Sequence, residues 1–261
     1  MNQNELFYQM IFKRKSFHLF RDTGNEQITQ KELDAIQATY QSLTPLLPDI
    51  RTAIRIVPAE ETTCNRGQEY CILLYSEKAD NYLQNIGYLG GLLDLYLASQ
   101  NIGTLWFGFG KTEYVKYNDL DFVIMIAIKK VPSEKFRKDM FKSKRKPLTD
   151  IWEGTPYQAI DNIVRFTPSS CNTQPWKVIS SEDKLEVYRY KEPSKRGMMP
   201  AHRVTYSNRI DIGIFLLFLE LCLQHENISY ERTLHSDSIE GDETVMNLVA
   251  TYNLDTPAIT C

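Results

Sequence analysis

The stretch NIGYLGGLLDLYLASQNI, residues 85–102, aligns without gaps with DIGIFLLFLELCLQHENI, residues 211–228. Both stretches carry Ile-Gly near the start, three leucines at alternating positions in the middle and Asn-Ile at the end. Apolar runs of this length predict long buried helices. A repeat of this kind also predicts that the chain holds two copies of one structural unit.

The segments around these helices repeat in the same order. An amphipathic helix pattern and a Pro-containing turn come before each one, at residues 31–57 and 157–181. Strand patterns lie on both sides, in the order EYCILLYSE (69–77), DFVIMIAIKK (121–130), KLEVYRY (184–190) and TVMNLVATYNL (244–254). We therefore predict an α+β fold of two diverged copies, each a central β-sheet flanked by helices, fused in one chain. The predicted halves are residues 1–143 and 144–261, joined near SEKFRKDMFKSKRK (133–146).

The composition excludes several classes of protein. The net charge of −3 and two local basic clusters give no broad basic face, so we expect no nucleic-acid partner. The longest apolar run, residues 210–223, is shorter than a membrane span and contains two acids, so it predicts a buried helix and no membrane partner. The N-terminus does not resemble a signal peptide. Five cysteines without a CxxC spacing predict free thiols in the cytoplasm and no metal site.

The loop TPSSCNTQPW, residues 167–176, exists in the second copy only, because SLTPLLPDIR takes its place in the first copy. Pro168 predicts an extended Thr167 and the end of the preceding helix. Ser169, Ser170 and Asn172 bring small uncharged groups that can approach and hydrogen-bond a flat polar ring. Trp176 is expected to begin a strand and to face the core.

Four motifs carry a resemblance to a known family. KRKSFHLF (13–20) resembles the phosphate-binding N-terminal motif of FMN-dependent nitroreductases, and residues 167–176 resemble their Pro-Ser-Ser-x-Asn-x-Gln-Pro-Trp loop. GTLWFGFG (103–110) is similar to the segment that faces the reactive flavin nitrogen, and KSKRKPL (142–148) resembles their Lys/Arg tail. Each motif alone is compatible with a solvated basic run or a plain turn. Together and in family order, they favour an FMN site in a nitroreductase-like fold.

The resemblance implies a fused pseudo-dimer, similar to the tandem branch of the family, with one site kept and one lost. Arg14, Lys15 and Ser16 would hold the flavin phosphate, since guanidinium and hydroxyl groups suit that anion. His18 stands where the family commonly has Lys or Arg near the pyrimidine edge, so it brings less positive charge there. The remaining implied cofactor-binding residues are Phe107 and Gly108 beside the flavin, Lys144 and Arg145 at the phosphate, and Pro168, Ser169, Ser170 and Asn172 in the loop.

The implied function is two-electron reduction of a nitroaromatic, quinone or similar small oxidant, driven by NADH or NADPH in a ping-pong cycle. No side chain is predicted to act as acid, base or nucleophile, because the cofactor carries the chemistry. The alternative is a non-enzymatic flavin-binding protein or a degenerate member that keeps only the scaffold. Fusion of the two halves predicts a monomer, with a homodimer as the other possibility.

Overall fold

The computed structural model describes residues 2–190, 197, 199–237 and 246–255. The chain divides into an N-terminal unit, Gln9–Met140, and a C-terminal unit, Phe141–Cys261 with Met1–Tyr8. The division therefore falls inside helix α1 (Gln3–Lys13), between Tyr8 and Gln9, and again after Met140. The sequence placed its boundary after residue 143 and did not separate residues 1–8 from the first half.

The N-terminal unit contains an antiparallel sheet with the strand order β1-β2-β5-β3, and the short β4 pairs only with β5. Pairs such as Ile54 with Leu74 and Leu105 with Ala127 fix its register. Central strand β2 is buried along almost its whole length, as expected for a strand covered on both faces. The elements are α2 (Gln30–Ser42), β1 (Thr52–Pro58), β2 (Tyr70–Ser76), α3 (Tyr82–Ser99), β3 (Ile102–Phe107), β4 (Lys116–Tyr117) and β5 (Leu120–Lys130).

The C-terminal unit contains a sheet with the strand order β6-β7-β8-β10-β9. Strand β6 runs parallel to β7, and the other neighbours are antiparallel. The elements are α4 (Leu148–Ile151), β6 (Trp152–Gly154), α5 (Gln158–Val164), β7 (Trp176–Ser180), β8 (Lys184–Tyr190), α6 (Ala201–His225), β9 (Tyr230–Leu234) and β10 (Met246–Leu254). The apolar run at 210–223 lies in α6 and is buried, as predicted.

The two sheets have the same topology. The order β1-β2-β5-β3 in one unit corresponds to β7-β8-β10-β9 in the other. In each case a long helix connects the second strand of this order to the fourth, with α3 leading from β2 to β3 and α6 from β8 to β9. The shared Asn-Ile has a backbone reason: Asn101 and Asn227 follow the long helices with φ of 57° and 56°. Asparagine tolerates this left-handed conformation, which commonly ends helices. The α+β fold is confirmed, and the matching topology is what the sequence repeat leads one to expect.

The end of α5 differs from the sequence prediction. The helix stops at Val164 and does not continue to the residue before Pro168. Thr167 instead closes the helix, since its backbone N–H (3.0 Å) and its hydroxyl (2.7 Å) both donate to the carbonyl of Val164. A side chain that satisfies a terminal carbonyl makes an early stop stable.

The described cysteines Cys64, Cys71, Cys171 and Cys222 are free thiols, in agreement with the prediction, and Cys261 lies outside the described residues. Within the described ranges, no helix combines the length and the apolar character that a bilayer crossing requires.

Candidate functional site

The N-terminal motif runs along the end strand of its sheet. After α1 ends at Lys13, Ser16 forms a parallel bridge with Thr104 of β3, and the N–H of Phe17 donates to the carbonyl of Thr104 at 2.9 Å. Gly103 makes this approach possible, because a Cβ there would lie 2.8 Å from the Phe17 ring. Two of the four motifs, 13–20 and 103–110, are therefore adjacent within the N-terminal unit.

Arg14 lies in the core of this unit. The residue is only 3% exposed, and its Nε is 3.0 Å from Oδ2 of Asp94 in α3, an ion pair whose angle does not make it a hydrogen bond. Asp94 also accepts a hydrogen bond from the Thr104 hydroxyl at 2.6 Å and from Trp106 Nε1 at 3.1 Å. Arg14 thus neutralises a buried carboxylate, a role the sequence did not suggest. Its contact with a flavin phosphate stays a prediction.

The other predicted residues of this unit lie nearer the surface. Lys15 is exposed and donates from Nζ to the carbonyl of Lys135 at 2.9 Å, and His18 is exposed. Ser16 is half-buried, and its hydroxyl makes no hydrogen bond within the described part of the chain. Phe107 ends β3, and a Cβ placed on Gly108 would have no heavy atom within 4 Å. This open space beside Gly108 fits the close approach of a flat ring.

The loop 167–176 of the C-terminal unit is held in an unusual backbone shape. Cys171, Asn172 and Gln174 have φ of 50°, 56° and 48°, the left-handed region that non-glycine residues seldom adopt. The hydroxyl of Ser169 accepts a hydrogen bond from the N–H of Gln174 at 2.9 Å. Trp176 begins β7, is fully buried and stacks on Phe215 at 4.9 Å, as the sequence predicted for its position.

The Lys/Arg tail contacts this loop within the same unit. Arg145 donates from Nη1 to Oδ1 of Asn172 at 3.0 Å and from Nη2 to the carbonyl of Phe166 at 3.2 Å. Lys146, which the sequence did not single out, donates from its backbone and from Nζ to Gln174 at 2.8 and 3.0 Å. Lys144 contributes through its carbonyl, which accepts from Asn172 Nδ2 at 3.3 Å. The Lys/Arg tail therefore packs on the loop 167–176 through hydrogen bonds, in addition to carrying positive charge.

The carboxyl group of Asp211 in α6 holds the loop 167–176 in place. Its carboxyl accepts the N–H of Ser170 at 3.0 and 3.1 Å and lies 3.5 Å from the hydroxyl of Thr173. Burial raises the pKa of this carboxyl from 3.8 to about 8, and the contacts with Ser170 and Thr173 only partly oppose the shift. In the first copy the corresponding anchor is neutral, since Asn85 Oδ1 accepts the N–H of Leu47 at 2.9 Å.

We expect Asp211→Asn to remove a pH dependence of stability. The folded carboxyl keeps a proton that the unfolded chain releases, so its contribution is greatest below pH 4 and is lost as the pH rises to about 8. Asparagine keeps the acceptor and does not titrate. The variant should therefore be more stable than the wild type near pH 8, by roughly a few kcal/mol. Thermal unfolding midpoints measured across pH 5–9 test this, with the exposed Asp150→Asn as control. Parallel profiles for Asp211→Asn and the wild type would contradict it.

A polar cavity of about 930 Å³ lies in the C-terminal unit away from these motifs, and none of the predicted site residues lines it. At its wall His225 Nδ1 is 2.9 Å from Glu5, and Tyr8 stacks on the His225 ring at 3.7 Å. These contacts fasten the first turns of α1 to the end of α6.

The predicted site residues thus fall into two groups, one in each unit. The N-terminal unit holds Arg14, Lys15, Ser16, His18, Phe107 and Gly108. The C-terminal unit holds Lys144, Arg145, Pro168, Ser169, Ser170 and Asn172. Asp94 and Asp211, the buried acids that support each group, were missed. The sequence did contain a signal for both, because an acidic residue inside a long apolar helix indicates a buried carboxyl that needs a partner.

Comparison with protein families identifies the chain. Residues 6–222 match the family described as "Putative TM nitroreductase", and the chain belongs to that family. No match was found among curated proteins.

Several solved structures are similar to the chain, and the first of those described next shows the same fold. A crystal structure of a putative nitroreductase from Thermotoga maritima MSB8 matches with a TM-score of 0.60 and 19% identity, covering 96% of this chain and 93% of that chain. A putative nitroreductase in complex with FMN from Desulfovibrio desulfuricans has a TM-score of 0.41 and 17% identity, covering 55% and 93%. A putative NADH dehydrogenase/NAD(P)H nitroreductase from Bacteroides thetaiotaomicron has a TM-score of 0.40 and 14% identity, covering 53% and 92%.

Proposed function

We propose that the protein is a cytoplasmic FMN-dependent oxidoreductase of the nitroreductase type. NADH or NADPH is the electron donor, and a nitroaromatic, quinone or similar small oxidant is the acceptor in a ping-pong cycle. The observation that carries the proposal is the anchored loop at 167–176. Its backbone is fixed through Asp211, while the Ser170 hydroxyl makes no hydrogen bond within the described part of the chain. A fixed loop with a free hydroxyl suits recognition of a polar ring edge.

The chemical types of the predicted site residues suit a flavin. Ser170 and Asn172 bring hydrogen-bonding groups without charge, and Gly108 leaves open space for a ring. Lys15, Ser16, Lys144 and Arg145 bring the donors that a phosphate requires. When bound, the flavin would supply the hydride chemistry, and the chain would bind, orient and shield it. No side chain of the chain is assigned a proton-transfer step. Because both motif sets belong to one polypeptide, we propose a monomer as the working form, with a homodimer as the alternative.

A specific observation supports a second candidate, a flavin-binding or degenerate protein without turnover. Arg14 is paired with Asp94 in the core, and His18 replaces the positive residue that the family commonly has. A weaker positive field near the flavin would disfavour its anionic reduced form. Such a protein would bind FMN and resist reduction.

Titration of the purified, flavin-free protein with FMN, followed by flavin fluorescence, tests binding and stoichiometry. We expect about one FMN per chain. Anaerobic addition of NADH or NADPH then separates the two candidates, because an oxidoreductase bleaches the flavin and a binding protein leaves it yellow. Failure to take up FMN would overturn both candidates.

A further inference from the structure

The segment that follows β5 presents a second guanidinium beside Arg14. The backbone N–H of Arg137 donates to the carbonyl of Lys13 at 3.1 Å, so this segment is tied to the start of the phosphate motif. The buried Phe136 meets the Phe17 ring edge-on at 5.4 Å and fixes the segment further. Lys15 Nζ also donates to the carbonyl of Lys135, at 2.9 Å. The position of Arg137 is therefore determined by contacts on three neighbouring residues.

The charges of Arg14 and Asp94 both act on the Arg137 guanidinium. Burial and the positive charge of Arg14 together lower the pKa of Arg137 from 12.5 to about 10, and the negative charge of Asp94 only partly opposes them. Arg137 remains charged at neutral pH. Asp94 is already engaged by Arg14, Thr104 and Trp106. The site therefore has one positive charge more than it has negative charges.

Arg137 is also available to a ligand. It is half-buried, and its guanidinium has no hydrogen bond or ion pair with any residue in the described ranges. A half-buried cation without a partner favours an anion from outside the protein. The hydroxyl of Ser16 and the ammonium of Lys15 belong to the same stretch of chain and suit the same kind of anion.

We propose that Arg137 is the guanidinium of the N-terminal unit that binds a phosphomonoester dianion, and that Arg14 is a positioning residue held by Asp94. The inference rests on the proposed function, since the phosphate of FMN is the phosphomonoester assigned to this site. The 2′-phosphate of NADPH has the same chemistry and is the other source. The assignment moves the phosphate contact from Arg14, which lies in the N-terminal sequence motif, to Arg137, which lies outside it.

The test compares FMN with riboflavin, which lacks the phosphate, on the wild type, Arg137→Gln and Arg137→Lys. Arg137→Gln should weaken FMN binding at least about tenfold, because it removes charge-assisted hydrogen bonds, and should leave riboflavin binding unchanged. Arg137→Lys should recover part of the FMN affinity. The exposed neighbour Lys138→Gln is the matched control and should bind FMN like the wild type. A Michaelis constant of Arg137→Gln raised for NADPH but not for NADH, with FMN affinity intact, would overturn the assignment to the flavin and indicate the nucleotide instead.

Equal FMN affinity of Arg137→Gln and the wild type, with equal constants for both nucleotides, would refute the proposal. An equal loss of FMN and riboflavin would also refute it, because that pattern marks a structural role. If the wild type takes up no FMN, the anion site can still be tested by thermal unfolding. The midpoint is measured in inorganic phosphate and in chloride at equal ionic strength, for the wild type and for Arg137→Gln. Stabilisation of the wild type but not of Arg137→Gln would keep the anion site while the flavin function fails. No difference between the two proteins would remove both.

Discussion

Replacing Arg14 with methionine is expected to lower the free energy of unfolding of the N-terminal unit by about 3 to 5 kcal/mol. The substitution keeps most of the side-chain volume and removes the cation 3.0 Å from Asp94. The carboxylate is then left at 3% exposure with hydrogen bonds only from neutral donors. Urea unfolding followed by the fluorescence of Trp106, the single tryptophan among residues 9–140, measures the change.

A surface pair in the same unit provides the control. Arg51 lies 2.9 Å from Glu77, but the two side chains are 65% and 30% exposed. Solvent screens such a pair, so Arg51→Met should cost less than about 1 kcal/mol. If Arg14→Met is as mild as Arg51→Met while FMN binding collapses, Arg14 acts on the ligand and not on the fold.

Glu220→Leu is expected to destabilise the C-terminal unit by about 3 kcal/mol or more. Glu220 occupies the position in α6 that corresponds to Asp94 in α3. Its Oε1 accepts hydrogen bonds from Arg232 at 2.6 Å and from the hydroxyl of Tyr252 at 2.8 Å. Tyr252 is fully buried, so leucine would leave its hydroxyl without this acceptor. Thermal and urea unfolding followed by circular dichroism measure the loss.

Glu186 offers a matched comparison, because it also accepts from a cation and a tyrosine hydroxyl, those of Lys184 and Tyr188. The difference is exposure, since the Lys184 and Glu186 side chains are 43% and 25% exposed. Glu186→Leu should therefore cost less than about 1 kcal/mol. Equal costs for Glu186→Leu and Glu220→Leu would show that burial of the acid does not decide its importance.

The sequence predicted the parts of the fold that depend on local pattern. The long helices, the main strands and the repeat followed from hydrophobic periodicity, and the matching sheet orders agree with the repeat. The start of β7 at Trp176 was predicted from the loop before it. The end of α5 was not, because Thr167 satisfies the helix carbonyl through a side-chain contact that no propensity encodes.

The candidate site residues were predicted from sequence motifs, whereas the charge partners of those residues were not predicted. A motif indicates which residue types a ligand needs, but the partner of a charge depends on packing between elements distant in sequence. Arg14 reaches Asp94 from 80 positions away along the chain, and Ser170 reaches Asp211 across 41. Arg137 lies in a segment that the sequence analysis treated as a charged linker. It became distinctive only in the structure, where its guanidinium lies near Arg14 and Asp94 without a hydrogen bond or ion pair in the described ranges.

The bridge between Ser16 and Thr104 has a consequence for solubility. Strand β3 ends its sheet, and an uncovered end strand offers free backbone groups to other chains. The residues after α1 cover part of that edge by backbone pairing. A truncated or proteolytically clipped chain without residues 13–17 would therefore expose a template for intermolecular strand addition, and its first symptom would be aggregation and not loss of colour.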